Sequence, residues 1–216
     1  RMIVKEIAAM NNVHATFMPK PLEGVQGSGM HLHLSLFSGD TNAFYSEDDP
    51  NNLSPVAKSF MAGLLRHAAE ITAVTNQTVN SYKRLVPGFE APVHISWARN
   101  NRSGLIRVPI PKRGSVSATR IEYRSPDPAC NPYLAFSVIL AAGMKGIREG
   151  YELEPEADAN LFEMDDAALD KLGIRQLPQS LNDALKVMET SELVQEVLGE
   201  HIFEWFLRNK RHEWRE

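Results

Sequence analysis

The stretch Gln26-Gly27-Ser28-Gly29-Met30-His31-Leu32-His33-Leu34-Ser35-Leu36-Phe37 changes character at its midpoint. From Met30 onward apolar and polar residues alternate with period two, the signature of a β-strand. Met30, Leu32, Leu34 and Leu36 turn to one face, which suits a core. His31, His33 and Ser35 turn to the other and form a row of two imidazoles and a hydroxyl, spaced about 7 Å apart. Gly27 and Gly29 stand just ahead of the strand, where glycine lets backbone approach a ligand closely. Such a polar face also suits a strand that merely meets water, so a second strand has to decide.

That second strand is Thr119-Arg120-Ile121-Glu122-Tyr123-Arg124. Arg120, Glu122 and Arg124 share one face, and Ile121 and Tyr123 the other. A carboxylate between two guanidinium groups is held ionised. Imidazole and carboxylate together suit a divalent cation of the kind used with phosphates, Mg²⁺ or Mn²⁺. Neighbouring arginines grip phosphate or carboxylate through two parallel hydrogen bonds. Read alone, the same strand is also a surface salt-bridge ladder. Between the two strands, Tyr82 to Pro92 places Arg84 and Glu90 on either side of a Pro/Gly loop suited to a mobile gate. Arg99-Asn100-Asn101-Arg102-Ser103-Gly104-Leu105-Ile106-Arg107 reads by itself as a solvated hairpin. No Walker-type loop and no GxGxxG occurs, so a nucleotide would have to be held by arginines and metal.

The 216 residues suffice for one sizeable core or two small ones, and 23% charged with 43% hydrophobic residues is ordinary for a globular chain. A net charge of -4 offers no general attraction for nucleic acid or membrane. The single cysteine, Cys130, excludes an internal disulfide framework and fits a reducing compartment, so a cytoplasmic protein is expected. No apolar run approaches the roughly 18 residues of a membrane span, and no signal peptide is visible.

Along the chain, residues 1–10 read as an amphipathic helix stopped by Asn11-Asn12, and 13–18 as a short strand. Ser54 caps a helix with Pro55 at its first position, and 76–85 is a shorter helical or turn segment. Strands are expected at 93–99, 105–110 and 119–124. The strongest helix covers 128–149, with Gly150 after its end, and short acidic helices follow to 216. Strands followed by helices predict an α+β fold: an antiparallel or mixed sheet with helices packed on it. His14, His67, His94, His201 and His212 are isolated and read as structural or solvated. Trp97 and Cys130 read as core, and Trp205 and Trp214 as packing or subunit contacts.

Four motifs now stand in order: Gly27 to Leu36, Tyr82 to Pro92, Arg99 to Ser103 with Ile106-Arg107-Val108-Pro109, and Thr119-Arg120-Ile121-Glu122-Tyr123-Arg124-Ser125-Pro126-Asp127-Pro128 with Asn131-Pro132-Tyr133. Together they resemble the catalytic-domain signatures of type I glutamine synthetase, and the resemblance covers about residues 12–150. It implies ATP-dependent ligation of ammonia to L-glutamate through γ-glutamyl phosphate, with divalent metals neutralising the transferred phosphoryl group. By the same resemblance His31 and Glu122 would ligate metal, and His33, Ser35, Arg102, Arg107 and Arg120 would bind ATP. Gln26, Gly27, Arg84, Glu90, Arg102 and Arg124 would position glutamate. Glu90, on a flap that shields the intermediate and helps bind and deprotonate ammonium, and Arg102, beside the reacting carboxylate, would be catalytic. Excluding water matters because an acyl phosphate hydrolyses readily.

Three positions depart from the pattern. Gln26 stands where many members have Asn, and Ser117 where some carry a basic ATP contact. Asn160-Leu161-Phe162 stands where one subgroup has Asn-Leu-Tyr, whose tyrosine is nucleotidylated; Phe162 has no hydroxyl to modify. The resemblance also implies that the family's N-terminal domain and further metal-binding glutamates lie ahead of Arg1. On that reading the 216 residues are the C-terminal part of a catalytic domain, with sheet and site motifs in 1–150 and a helical segment in 151–216. Half a site, inactive by itself, is expected, completed in a double hexameric ring of identical subunits. Two other readings are a ligase joining glutamate to a polyamine or monoamine, and a non-catalytic structural or regulatory relative.

Overall fold

The computed structural model describes residues 1–88, 91–99, 104–110, 116–157, 161, 164 and 166–216, with 166, 167 and 170 through their backbone alone. The order is α1 (Met2–Met10), β1 (Leu32–Leu34), β2 (Phe37–Ser38), β3 (Thr41–Asn42), α2 (Pro55–Arg66), α3 (Ala68–Thr75), α4 (Ser81–Arg84), β4 (His94–Ala98), β5 (Gly104–Arg107), β6 (Ile121–Tyr123), α5 (Pro132–Glu149), α6 (Asp166–Lys171), α7 (Leu181–Glu189) and α8 (Glu192–Arg215). It is an α+β arrangement. β1, β6, β5 and β4 form one sheet in that order, with β1–β6 and β6–β5 antiparallel and β5–β4 parallel.

Register creates two kinds of row across this sheet. Leu32, Tyr123, Ile106 and Trp97 stand side by side in one row, and Leu34 with Ile121 in the next. Their side chains join the core formed with Phe60, Leu64, Ile71, Ile139 and Leu185 of α2, α3, α5 and α7. Between these apolar rows, and pointing the opposite way as the pleat demands, stand His33, Glu122, Arg107 and Ala98.

The helices start and stop for local reasons. Ser54 accepts from the Ala57 amide at 3.1 Å, with Pro55 first in α2. Asn131 likewise accepts from the Tyr133 amide at 3.0 Å, and Gly150 ends α5 at φ 64°, a left-handed conformation that glycine adopts freely. α2 and α5 approach so closely that a Cβ on Gly146 would lie 2.1 Å from the Ser59 carbonyl oxygen and 2.7 Å from the Gly63 Cα.

Several expectations are corrected. Residues 13–18 form no strand; Val13 and Met18 are exposed and no backbone pairs with them as a ladder. The histidine strand stops at Leu34, because its partner β6 begins opposite it at Ile121. β5 ends at Arg107 and not at Ile110, Pro109 having no amide to donate. β4 and β5 are not the arms of a hairpin: they are parallel, with Gly104 opposite His94. The strongest helix begins at Pro132, four residues late, where Asn131 supplies the cap. α1 forms as expected but buries none of its residues.

Candidate functional site

The site is built around Glu122. Its neighbours across the sheet are fixed by register: His33 on β1 and Arg107 on β5. Its residue is only 5% exposed, so the carboxylate is a buried charge that needs close partners. Oε2 stands 2.6 Å from Arg107 Nε. Oε1 stands 2.9 Å from His31 Nδ1 and 3.9 Å from His33 Nε2. Arg120, on the far side of His33, donates from Nε to His33 Nδ1 at 3.2 Å and from Nη1 to the Ala118 carbonyl at 3.0 Å. The two imidazoles and Arg107 are part-exposed and form a rim around the buried carboxylate.

Burial, and next the positive charge of Arg124, push the His31 imidazole below its ordinary pKa, against the pull of Glu122. At neutral pH it is therefore uncharged, the form that ligates a metal. Imidazole nitrogen beside carboxylate oxygen is a donor pair that suits Mg²⁺ or Mn²⁺. No group of three or more His, Cys, Asp or Glu side chains gathers around an ion position among the described residues. The pair therefore fits as part of a coordination sphere and not as the whole of one.

A second group of charges lies behind the first. Arg84 Nη1 donates to the Ser125 carbonyl at 2.7 Å and Nη2 to the Arg124 carbonyl at 3.2 Å. Burial lowers its pKa to about 10, with Asp127 opposing and Arg124 adding to the effect, which leaves it charged at neutral pH. Arg124 is buried too, with Nη1 at 3.4 Å from the Gly104 carbonyl. The glycine loop closes over this pair. Ser28 donates to the Pro19 carbonyl and Met30 to that of Pro126, both at 2.8 Å. A Cβ on Gly29 would lie 2.5 Å from Arg84 Nη2 and 3.2 Å from His31 Nε2, and one on Gly27 would meet the Pro19 carbonyl at 2.2 Å. Glycine is needed here for close approach.

The sequence reading missed Asp127. Fully buried, it accepts from Asn76 Nδ2 at 3.0 Å and from the Ala129 amide at 3.0 Å. Burial raises its pKa, against hydrogen bonds from Ser81, the Ala129 amide and Asn76 and the charge of Arg84. It is the counter-charge to Arg84. The signal was available: an acid three residues beyond Arg124, locked between Pro126 and Pro128.

Of the residues singled out from sequence, His31, His33, Arg107, Arg120 and Glu122 meet in one polar row. Gly27, Arg84 and Arg124 meet in the group behind it. Ser35 is exposed just past β1, and Gln26 is exposed in the loop before Gly27. Glu90, Arg102 and Phe162 lie outside the described residues.

Over residues 1–216 the chain matches the family described as glutamine synthetase, catalytic domain. Glutamine synthetase of Mycolicibacterium smegmatis is 58% identical over 214 residues, 99% of this chain and 48% of that protein. Glutamine synthetase of Thermotoga maritima is 51% identical over 216 residues, 100% of this chain and 48% of that protein. An apo GmaS structure superposes with a TM-score of 0.85 at 38% identity, over 99% of this chain and 47% of that one. A GmaS/ADP complex gives the same TM-score at 36% identity, covering 99% and 48%. The chain spans about half the length of the curated relatives it matches.

Proposed function

The chain belongs to the glutamine synthetase family, and from that premise we propose that its protein makes glutamine from L-glutamate, ammonia and ATP. The γ-carboxylate oxygen of glutamate attacks the γ-phosphorus of ATP and ADP leaves. Ammonia then attacks the acyl carbon of γ-glutamyl phosphate, and phosphate leaves. The observation that carries this reading is the buried Glu122 carboxylate between His31 and Arg107.

His31 and Glu122 would hold a divalent cation, Mg²⁺ or Mn²⁺, which would neutralise charge on the phosphoryl group being transferred. His33, Ser35, Arg107 and Arg120 bind ATP, the arginines through its phosphate oxygens. The family resemblance assigns Arg102 to this group and Glu90 to ammonium and the flap. Gln26, Gly27, Arg84 and Arg124 orient glutamate, whose carboxylates match the planar donors of buried arginine. The ADP bound to a solved relative supports nucleotide binding. We further infer a cytoplasmic enzyme in a ring of identical subunits, with neither nucleic acid nor membrane as partner. The buried free Cys130 and the net charge of -4 agree with this, and no helix among the described residues is long and apolar enough to cross a membrane.

Gln26, which stands where many family members have Asn, leaves room for a second reading, in which glutamate is joined to a larger amine. Assaying the full-length protein with ammonium, monoamines and polyamines separates the two. Glutamine formation with ammonium as the preferred acceptor is expected. A clear preference for an amine replaces the first reading with the second.

A further inference from the structure

The guanidinium of Arg84 is aimed by two backbone carbonyls, those of Ser125 and Arg124, and both belong to the stretch 124–127 that leaves β6. That stretch is in turn held by Asn76, the residue that ends α3. Asn76 Nδ2 donates to the Ser125 carbonyl at 2.8 Å and to Asp127 Oδ2 at 3.0 Å, and Asn76 Oδ1 accepts from the Thr75 hydroxyl at 2.9 Å. A carbonyl oxygen accepts two hydrogen bonds, and that of Ser125 receives one from Asn76 and one from Arg84. Asp127 closes the network. Its amide donates to the Thr75 carbonyl at 3.3 Å, and its Oδ1 accepts from the Ala129 amide at 3.0 Å. Asn76, Ser125 and Asp127 are each 0% exposed, so none of them touches a substrate. Buried polar groups satisfied in this way fix one arrangement of the backbone around them.

We propose that Asn76 and Asp127 are positioning residues for glutamate that act through Arg84: they hold the two carbonyls that aim its guanidinium. This role rests on the proposed function, in which Arg84 and Arg124 bind glutamate. A planar guanidinium meets a carboxylate through two parallel hydrogen bonds in one orientation, so a tilt of the carbonyls behind it misdirects both. Asp127 also offsets the positive charge that Arg84 and Arg124 bring together in a buried place.

The test is steady-state phosphate release by the full-length protein, with glutamate and ATP varied in turn. Asn76→Ala removes both bonds to the 124–127 stretch. Asp127→Asn keeps the shape and sets an amide NH₂ against one of two donors, Asn76 Nδ2 or the Ala129 amide. Each variant raises the KM for glutamate roughly tenfold and leaves the KM for ATP within about twofold. A merely structural role lowers kcat through loss of active protein and leaves both KM values unchanged. Arg84→Lys raises the glutamate KM by itself, and on that background either substitution adds less than about twofold, because it acts through Arg84. The positioning role is overturned if the folded variants keep the glutamate KM within about twofold of wild type, if the KM for ATP rises equally, if the effects add in full on Arg84→Lys, or if neither variant folds. A glutamate KM untouched by Arg84→Lys overturns the assignment of Arg84 to glutamate, and this role with it.

Discussion

Nδ1 of His31 lies 2.9 Å from Oε1 of Glu122, although 91 residues of chain separate them. The contact exists because β1 and β6 pair antiparallel with His33 opposite Glu122, which brings the preceding histidine diagonally onto the same carboxylate. Glu122→Gln keeps the shape of this row and removes its negative charge. We expect Mn²⁺ affinity of the full-length protein to fall by at least roughly tenfold, measured by electron paramagnetic resonance. Unchanged affinity would take Glu122 out of the metal site.

Arg124→Lys should be far from conservative. The guanidinium is buried and reaches the Gly104 carbonyl, and lysine cannot present two parallel donors to a carboxylate. kcat/KM for glutamate should fall by roughly tenfold or more, with the KM for ATP little changed. An unaltered kcat/KM for glutamate rejects the glutamate assignment.

Gly146→Ala sets two effects against each other. Alanine in a helix interior gains about 1 kcal/mol over glycine. The new methyl, however, would sit 2.1 Å from the Ser59 carbonyl oxygen and 2.7 Å from the Gly63 Cα. These are backbone atoms of a packed helix and cannot swing aside. Overpacking of this kind costs about 1–3 kcal/mol, so denaturant unfolding should show net destabilisation. A stabilised variant would mean that α2 and α5 are less tightly apposed than described.

What the sequence made legible was whatever repeats locally. Alternation in Met30 to Leu36 and in Arg120 to Arg124 separates core face from polar face, and the caps Ser54 and Asn131 and the stop at Gly150 are single-residue signals. Pairing is another matter. Nothing near Val13 says that no strand will lie beside it, and nothing near Arg107 says that β5 runs parallel to β4 while its side chain meets Glu122. The role of Asp127 was hidden for the same reason, since it arises only when Arg84 and Asn76 arrive from elsewhere. The motif resemblance supplied the grouping of residues that local pattern could not.

The docking of α8 should depend on acid pH. Glu70 on α3 accepts from Ser191, the N-cap of α8, and pairs with His67 at 2.8 Å. Burial alone would raise its pKa. The hydrogen bonds from His67 and Ser191, with the charges of His67 and Lys145, outweigh burial and hold it below the ordinary 4.5. A depressed carboxyl adds stability that is present above the unfolded pKa and lost as the pH falls through the folded one. The Tm gap between wild type and Glu70→Gln should therefore be largest above about pH 5 and close as the pH drops further. A gap that stays constant through this range contradicts the pairing.

The most direct test of the central claim is the product balance of the full-length protein supplied with ATP, glutamate, ammonium and Mn²⁺, beside its Glu122→Ala variant. The account predicts glutamine and phosphate released in step by the wild type, and a loss of roughly 100-fold or more in the folded variant. Phosphate without glutamine from the wild type, or a folded variant within a few-fold of wild type, would contradict it.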